Sequence, residues 1–230
     1  IMIGSPGSGK SMMAKCMPSI LPPLSLGESL ETTKIHSVAG KLGKDSSLIA
    51  IRPFRSPHHT ISQVAMVGGG TNPQPGEISL AHNGLLFLDE LPEFNRSVLE
   101  VLRQPLEDRH ISIARAKYSL DYPASFMLVA SMNPCPCGYY PDRNKCRCTQ
   151  PQIEKYLGKI SGPILDRIDL CVELHPVDIL HLQKTKTEKS SEDMKRQIRH
   201  ARERQAERFA GTYCRFNGDI RSAQVEEYCP

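Results

Sequence analysis

The sequence lacks the features that mark membrane-spanning and secreted proteins. Its 230 residues contain no run of 18 apolar residues and begin with no recognisable signal peptide, so we expect a soluble, cytoplasmic protein that does not enter a membrane. The formal net charge is only +4, which is too small to indicate nucleic-acid binding without a local basic region. Apolar residues still make up 39% of the chain, enough for one large α/β domain and a smaller one.

Residues 4–11 complete the G-x-x-x-x-G-K-[ST] pattern of a phosphate-binding loop. The backbone N–H groups of such a loop surround phosphate oxygens, Lys10 is expected to reach the β- and γ-phosphates, and the Ser11 hydroxyl is expected on Mg²⁺. Apolar residues 1–3 predict the preceding strand, and residues 12–15 begin a helix whose N-terminus faces the phosphates. The residues expected at the nucleotide are Gly4, Ser5, Pro6, Gly7, Ser8, Gly9, Lys10, Ser11 and Met12. The pattern therefore predicts binding of a nucleoside triphosphate, ATP, with Mg²⁺.

A second motif consists of the apolar run 85–88 followed by Asp89 and Glu90. A buried strand that carries two acids at its carboxyl end suits Mg²⁺-assisted hydrolysis. Asp89 is expected to hold the Mg²⁺, and Glu90 to act as general base toward the attacking water. An isolated Asp-Glu pair would indicate only a solvated strand end. Together with a phosphate-binding loop it favours hydrolysis.

Between these motifs and after them the pattern alternates between helices and apolar strands. Residues 41–75 form a looser stretch, which is typical of an insertion or a working loop in an α/β domain. Asn95 is a plausible N-cap for the helix after the acidic strand. The elements expected are a helix over 28–39, a helix over 96–107, a hairpin over 111–118, and a strand over 126–131 that leads to Asn133.

Four further segments carry a family resemblance: residues 52–60 (RPFRSPHHT), 76–84 (GEISLAHNG), 131–138 (SMNPCPCG) and 161–170 (SGPILDRIDL). Together with the two nucleotide motifs, and in the same order from Gly4 to about Leu174, they resemble the magnesium-chelatase-like AAA+ ATPases of the bacterial ComM/YifB group. The wider clade includes the chelatase motor subunit and the MCM helicases. The resemblance implies an α/β P-loop NTPase fold with a five-stranded parallel sheet flanked by helices. Residues 1–176 would form this core and residues 177–230 part of a small helical lid.

The same resemblance assigns roles to two residues and an assembly to the chain. Asn133 would be the sensor that orients the hydrolytic water, and Arg167 the finger that reaches a neighbour's γ-phosphate. Without the family, Asn133 would indicate a strand-end turn and Arg167 a surface arginine. The implied assembly is a homo-oligomeric ring, expected to be a hexamer, with ATP sites between neighbours.

Two insertions are expected to face the pore of such a ring, namely residues 60–78 and the hairpin over residues 110–122. In MCM-like motors a basic residue at the hairpin tip contacts the nucleic-acid backbone, and Arg115 or Lys117 occupies the matching place. A solvated hairpin tip is the alternative. For Arg52, Arg55, His58 and His59 the sequence leaves contacts with DNA, a neighbouring subunit or nucleotide equally open.

The chain has eight cysteines, which without a secretory signal indicate reduced thiols or a metal rather than disulfides. Four of them form two C-x-C pairs: Cys135, Cys137, Cys146 and Cys148. Two close pairs separated by a short loop could surround one tetrahedral Zn²⁺, although the usual zinc-ribbon spacing is C-x₂-C. Four free thiols are the alternative. The other four cysteines are expected to be isolated thiols.

The last part of the chain is strongly charged. A short helix is predicted over residues 178–183, followed by a polar connection over 184–192 and a second helix over 193–209. Acidic residues are interspersed among the basic ones of this second helix, which favours a solvated lid helix over a nucleic-acid-binding stripe. Because residue 1 already lies in the strand before the phosphate loop, we expect a fragment of a longer protein. The family's N-terminal Lon-protease-like domain and second arginine sensor are not recognisable in it.

These features predict an ATP-hydrolysing AAA+ motor. The substrate class favoured is branched or single-stranded DNA, with a branch-migration or helicase activity in natural transformation and recombination. A chelatase-type motor that remodels a protein partner is the alternative, and a nucleotide-dependent assembly module is a third hypothesis.

Overall fold

The computed structural model describes residues 1–43, 48–70, 73–115, 118–176, 189–214 and 216–228. The strands are β1 Met2–Gly4, β2 Phe54–Arg55, β3 Gly68–Gly69, β4 Gln74–Pro75, β5 Leu85–Leu88, β6 His110–Arg115, β7 Tyr118–Pro123, β8 Met127–Met132 and β9 Val172–Leu174. The helices are α1 Lys10–Cys16, α2 Leu26–Val38, α3 Gln63–Val67, α4 Glu77–Leu80, α5 Arg96–Glu100, α6 Arg103–Asp108, α7 Gln150–Leu157, α8 Gly162–Leu165, α9 Ser191–Arg208 and α10 Val225–Tyr228. Short 3₁₀ turns cover Met17–Ser19, Leu91–Glu93, Asn217–Asp219 and Ser222–Gln224.

Five of the strands form one sheet in the order β2-β5-β8-β1-β9. Every neighbouring pair in this sheet is parallel, and all four residues of β5 are buried. Because parallel strands all point the same way, the segments that follow β1, β5 and β8 meet at one edge of the sheet. The predicted α/β fold with a five-stranded parallel sheet flanked by helices is therefore confirmed.

One apolar core lies against this sheet. It joins residues of β5 and β8 to the segment that follows β5 and to the β6–β7 hairpin. Its buried members include Leu86, Leu88, Leu91, Phe94, Val98, Leu99, Leu102, Ile111, Ile113, Ala130 and Met132. Packing in this core therefore holds the carboxyl ends of β5 and β8 in place, and with them the residues that follow each strand.

The predicted helix over 96–107 is wrong in one respect, because it is interrupted. Asn95 caps α5 as expected, accepting a 3.1 Å hydrogen bond from the N–H of Ser97. The helix stops at Glu100, and α6 begins at Arg103. Pro105 explains the break, since it has no N–H to donate to the carbonyl of Val101 and its ring would clash with that carbonyl.

The described residues of both predicted insertions include helices or strands. Between residues 60 and 78 the chain forms α3 and the short antiparallel pair β3–β4, and it then enters α4. The hairpin pairs β6 with β7 from His110 opposite Pro123 to Arg115 opposite Tyr118. In the part of the chain that the structure describes, neither insertion contributes a strand to the main sheet.

The chain divides into two compact units, Ile1–Pro18 with Pro23–Thr185, and Ser19–Pro22 with Lys186–Pro230. In the second unit α9 begins with a capping box between Ser190 and Asp193 and has no buried residue, while Phe209 and Cys214 are buried after it. The predicted boundary at residue 176 stays a prediction, and the predicted helix over 178–183 lies outside the described residues. Across the described ranges, no helix combines the length and the apolar character needed to cross a bilayer.

Candidate functional site

The phosphate-binding loop runs from the end of β1 to the start of α1. Gly7 and Gly9 have positive φ angles of 79° and 84°, which only glycine adopts without strain. Ser8 and Lys10 are buried, whereas Met12 is exposed on the first turn of α1. The Ser5 hydroxyl oxygen is buried and has no hydrogen-bond partner among the described residues. A loop with this orphaned polar atom fits a phosphate ligand.

Lys10 folds back beneath the loop. Its Nζ donates hydrogen bonds to the carbonyl oxygens of Gly4 at 2.7 Å and Ser5 at 2.9 Å, and lies 3.4 Å from Ser8 Oγ. Burial lowers the pKa of Lys10, and the nearby Asp89 carboxylate opposes this shift. The ammonium group is therefore surrounded by oxygen acceptors, which is the environment that phosphate oxygens would provide.

Asp89 receives hydrogen bonds from one helix, one strand and the backbone of the next residue. Ser11 Oγ donates to its Oδ2 at 2.6 Å, Ser131 Oγ donates to its Oδ1, and the backbone N–H of Glu90 donates to Oδ1 at 3.1 Å. The Ser11 hydroxyl and the Asp89 carboxylate thus present adjacent oxygen ligands, the type that Mg²⁺ prefers. The structure brings together the two residues that the sequence predicted for this ion.

Glu90 leaves the sheet in a left-handed backbone conformation, with φ 55° and ψ 49°. Its side chain is 59% exposed, and its Oε2 lies 3.6 Å from Nδ1 of His59. The His59 ring contacts the His58 ring at a centroid distance of 4.0 Å and a tilt of 34°, and it meets Phe94 edge-on at 6.3 Å. The predicted general base is therefore adjacent to Asp89, accessible to solvent, and contacted by a histidine of the segment between β2 and α3.

Asn133 follows β8 and reaches the same place from the neighbouring strand. Its Oδ1 accepts a 3.2 Å hydrogen bond from Lys10 Nζ. Tyr156 in α7 also contacts the backbone of Asn133, and burial raises the pKa of this tyrosine to about 12. Lys10 binds Asn133, and Ser11 binds Asp89. Because Lys10 and Ser11 are neighbours in the chain, these four residues form one connected group, with Glu90 beside it.

Arg167 belongs to a different set of contacts. It lies just after α8, where its guanidinium binds the carboxylate of Glu107 and the carbonyl of Pro163. Its Nε is buried without a hydrogen-bond partner among the described residues. Within one chain the structure therefore does not join Arg167 to the connected group around Lys10.

The basic residues that the sequence left unplaced have partners within the chain. Arg52 binds the Glu28 carboxylate at 3.2 Å and the Asn83 carbonyl at 2.7 Å. Arg55 makes a bidentate pair with Glu77, with both bonds at 2.6 Å, and this hydrogen bonding raises the pKa of Arg55. Both arginines tie the segment around β2 to neighbouring elements. His59 is the member of this group that contacts a candidate catalytic residue.

The predicted nucleic-acid contacts involve Arg115 and Lys117 in the hairpin of β6 and β7. Arg115 ends β6 and pairs with Tyr118 in the register of the hairpin. Lys117 and the side chain of Arg115 lie outside the described residues. Contact between these two residues and DNA stays a prediction.

The four clustered cysteines converge. The Sγ atom of Cys135 lies 3.4 Å from that of Cys137 and 3.8 Å from that of Cys146, and the latter two are 3.6 Å apart. All four Sγ atoms, including that of Cys148, lie within 4.8 Å of one another. Four thiolates around a tetrahedral Zn²⁺ with Zn–S bonds of about 2.3 Å would be about 3.8 Å apart. The arrangement fits one metal ion.

The surroundings of these thiols also suit a metal. Cys135 is fully buried, and its Sγ accepts hydrogen bonds from the N–H groups of Gly138 at 3.2 Å and Tyr140 at 3.4 Å. Hydrogen bonds of this kind orient a thiolate ligand and stabilise its charge. A backbone hydrogen bond from Tyr139 lowers the pKa of the Cys137 thiol to about 6.

Three contacts of the site were not predicted from the sequence. Ser131 donates to Asp89, His59 lies against Glu90, and Tyr156 supports Asn133. The position of Ser131 at the end of a strand next to β5 was a usable signal, because adjacent parallel strands bring their ends together. The other two contacts depend on how loops and helices pack.

A parallel sheet with a phosphate-binding loop after one strand and paired acids after another defines a P-loop NTPase, and the order of its elements is that of the AAA+ class. A family model described as "Magnesium chelatase, subunit ChlI" matches residues 1–182. The chain belongs to this magnesium-chelatase family, whose AAA+ members use ATP and Mg²⁺.

Individual relatives agree with this assignment. The chain is 46% identical over 231 aligned positions to YifB of Salmonella typhimurium, and 44% identical over 231 positions to "Competence protein ComM" of Haemophilus influenzae. Each alignment covers 100% of this chain and 44% of the relative, so the chain spans less than half the length of these proteins. The predicted membership of the magnesium-chelatase-like ComM/YifB group is confirmed.

A solved structure shows the same fold. A chain in the complex between the BchI and BchD subunits of magnesium chelatase superimposes with a TM-score of 0.54 at 20% identity. The match covers 92% of this chain and 69% of that one.

Proposed function

We propose that this chain is the ATP-hydrolysing module of an AAA+ motor. The observation that carries the proposal is the connected group of Lys10, Ser11, Asp89 and Asn133, which three parallel strands bring to one edge of the sheet. Each of these side chains is of the type that phosphoryl transfer uses for positioning or for charge neutralisation.

Each of these residues has a separate role in the proposed hydrolysis. When ATP binds, Lys10 Nζ gives up its hydrogen bonds to the loop carbonyls and binds the β- and γ-phosphate oxygens instead. Ser11 and Asp89 hold Mg²⁺, which when bound neutralises charge on the phosphates. Glu90 takes the proton of the attacking water, and Asn133 orients that water. The exposure of Glu90 and the contact of Asn133 with Lys10 support these roles.

The proposed assembly is a hexameric ring in which Arg167 acts on the neighbouring chain. An arginine supplied across an interface would neutralise charge in the transition state and link hydrolysis to assembly. Its location outside the connected group of its own chain supports action in trans. In the free chain Glu107 holds the guanidinium, so assembly would have to exchange this partner for the γ-phosphate.

The proposed substrate is branched or single-stranded DNA, and the proposed activity is translocation or branch migration in the cytoplasm. The support is the sequence similarity to "Competence protein ComM" and the hairpin that ends at Arg115. The deciding experiment is an ATPase assay on the full-length protein with and without single-stranded and branched DNA. Stimulation by DNA supports the proposal, and an ATPase rate that DNA does not change argues against it.

A chelatase-type motor that remodels a protein partner is the second candidate. It is favoured by the family model and by the fold shared with the BchI–BchD complex. Hydrolysis that responds to a protein partner and not to DNA would support it. A chain that assembles on binding nucleotide but does not hydrolyse it would instead be an assembly module.

We further propose that the cysteine cluster holds one structural Zn²⁺. The Sγ separations of 3.4–3.8 Å and the all-thiolate ligand set support zinc over Mg²⁺, which prefers oxygen ligands.

A further inference from the structure

The cysteine cluster and the phosphate-binding loop touch each other. Gly138, the residue after Cys137, has a φ angle of 85° and lies against the ring of Pro6 in the middle of the loop. A Cβ atom on Gly138 would lie 2.5 Å from Pro6 Cδ and 3.6 Å from Asn133 Cγ. The turn that carries the thiols therefore packs against both the loop and the candidate sensor.

A second connection runs through the backbone. Asn133, which binds Lys10 at 3.2 Å, is separated from Cys135 by a single proline. The same Cys135 thiol accepts the N–H of Gly138. The buried Sγ atom of Cys135 thus binds the backbone of Gly138, which contacts Pro6. Cys135 itself lies two positions after Asn133, which binds Lys10.

We propose that metal binding at the cysteine cluster and nucleotide binding at the phosphate loop are coupled, each strengthening the other. This inference rests on the proposed nucleotide function of the loop. A bound metal fixes the turn that carries Gly138, and a bound nucleotide fixes the loop that carries Pro6. Because the two segments are in contact, ordering one reduces the freedom that the other must lose on binding.

Thermodynamic linkage makes the proposal quantitative. If saturating nucleotide lowers the dissociation constant for Zn²⁺ by some factor, then Zn²⁺ must lower the dissociation constant for nucleotide by the same factor. Couplings between distinct sites are typically about 5- to 150-fold, and we expect at least about 5-fold here, since the contact is direct.

The test uses the full-length protein with the substitution Glu90→Gln, so that ATP is bound without turnover. Zinc affinity is measured by competition with a chelator that does not bind Mg²⁺, with and without saturating Mg-ATP. Nucleotide affinity is measured with a fluorescent ATP analogue, on zinc-loaded and zinc-free protein. Equal factors in the two measurements support the coupling.

Two variants locate the coupling at the observed contact. Pro6→Ala removes the ring and keeps the G-x-x-x-x-G-K-[ST] pattern. Gly138→Ala keeps all four thiols but places a Cβ atom 2.5 Å from Pro6 Cδ at a φ angle of 85°, so it forces the turn and the loop apart. Both substitutions change the binding loop or the turn packed against it, so each is expected to weaken ATP binding by itself. The readout is therefore the coupling factor, measured at saturating concentrations of the second ligand, which should fall toward 1 in both variants. Gly27→Ala is the matched control, because a Cβ there meets nothing within 4 Å, and it should keep the wild-type factor.

The outcomes separate this inference from the proposed function. Zinc affinity that saturating nucleotide leaves unchanged overturns the coupling, even if both ligands bind. A protein that binds nucleotide but no zinc also overturns it and leaves the ATPase proposal intact. Zinc-loaded protein that binds no nucleotide refutes the proposed function itself.

Discussion

His59 lies against Glu90, with 3.6 Å between the histidine Nδ1 and the glutamate Oε2. Its ring is held on one side by His58 and meets Phe94 edge-on. The Glu90 side chain is largely exposed, so a contact with a ring that packs against two others restricts where the carboxylate can point. His59 is therefore a positioning residue for the proposed general base.

Replacing this histidine should slow hydrolysis and spare nucleotide binding. We expect His59→Ala to lower kcat about tenfold, equivalent to about 1.4 kcal/mol, because the carboxylate loses its orientation while Lys10 and Ser11 are untouched. Steady-state kinetics with a separate ATP-binding measurement checks this. His200→Ala, at an exposed position of α9, is the control. An unchanged kcat in the His59 variant would contradict the positioning role.

Lys10 and Glu90 should differ in which step they lose. Lys10→Ala should abolish detectable ATP binding, since it removes the cation beneath the loop. Glu90→Gln should bind ATP and fail to hydrolyse it, because the amide keeps the shape of the side chain and cannot accept the proton of the water. Equilibrium binding and single-turnover hydrolysis distinguish the two. Equal loss of binding in both variants would refute the role given to Glu90.

Arg167 should act in trans. We expect Arg167→Ala to lower turnover about 10³-fold, at the low end for arginine fingers. Mixing it with Glu90→Gln subunits should restore part of the activity, because a mixed interface can pair an intact finger with an intact base. The measurement is ATPase activity across mixing ratios.

Glu107→Gln is the control for the lost ion pair. Arg167 is paired with Glu107 within the chain, and an exposed pair of this kind contributes about 0–1 kcal/mol. If Glu107→Gln lost as much turnover as Arg167→Ala, or if no mixing ratio gave rescue, the finger assignment would fail.

The cysteine cluster should contain one zinc per chain. Elemental analysis of protein purified without added metal should find it, and Cys135→Ser should lose the metal, melt at a lower temperature and hydrolyse ATP more slowly. Cys171→Ser, an exposed thiol outside the cluster, should change none of these properties. Metal-free protein with four freely reactive thiols would exclude the site.

The hairpin should contribute to DNA binding without reading sequence. Replacing Arg115 and Lys117 together by Ala should weaken binding to all single-stranded sequences alike, and should make the slope of log K against log salt shallower by about 1.4, since two phosphate contacts are lost. ATP binding should persist. The matched control replaces Lys195 and Arg196, which are already paired with acids in α9. Wild-type affinity in the hairpin variant would refute this contact.

Features that depend on short stretches of sequence could be predicted. The glycines and lysine of the phosphate loop, the apolar run of β5 before Asp89, and the Asn95 cap each rest on neighbouring residues, so local physics was sufficient. Family resemblance extended this to a five-stranded parallel sheet flanked by helices. The break between α5 and α6 could have been expected from Pro105, which the prediction of one helix over 96–107 left out of account.

The contacts between distant segments could not be predicted. The contact between His59 and Glu90 requires that the segment between β2 and α3 fold back over the end of β5. The pairs formed by Arg52 and Arg55 depend on where α2 and α4 lie. The contact between Gly138 and Pro6 requires the order β8-β1 in the sheet as well as the turn after Cys137. None of these has a signal in the spacing of residues along the chain.

The left-handed backbone conformation of Glu90 affects both the stability of the fold and the access of water to the carboxylate. A side chain in this conformation costs about 1–2 kcal/mol relative to the right-handed one, and glycine would avoid that cost. The conformation is imposed by the sharp turn from β5 into Leu91–Glu93, where Leu91 is anchored in the core. This turn therefore has two effects. It destabilises the fold locally, and it points the Glu90 carboxylate away from the strand and into solvent, where water can reach it.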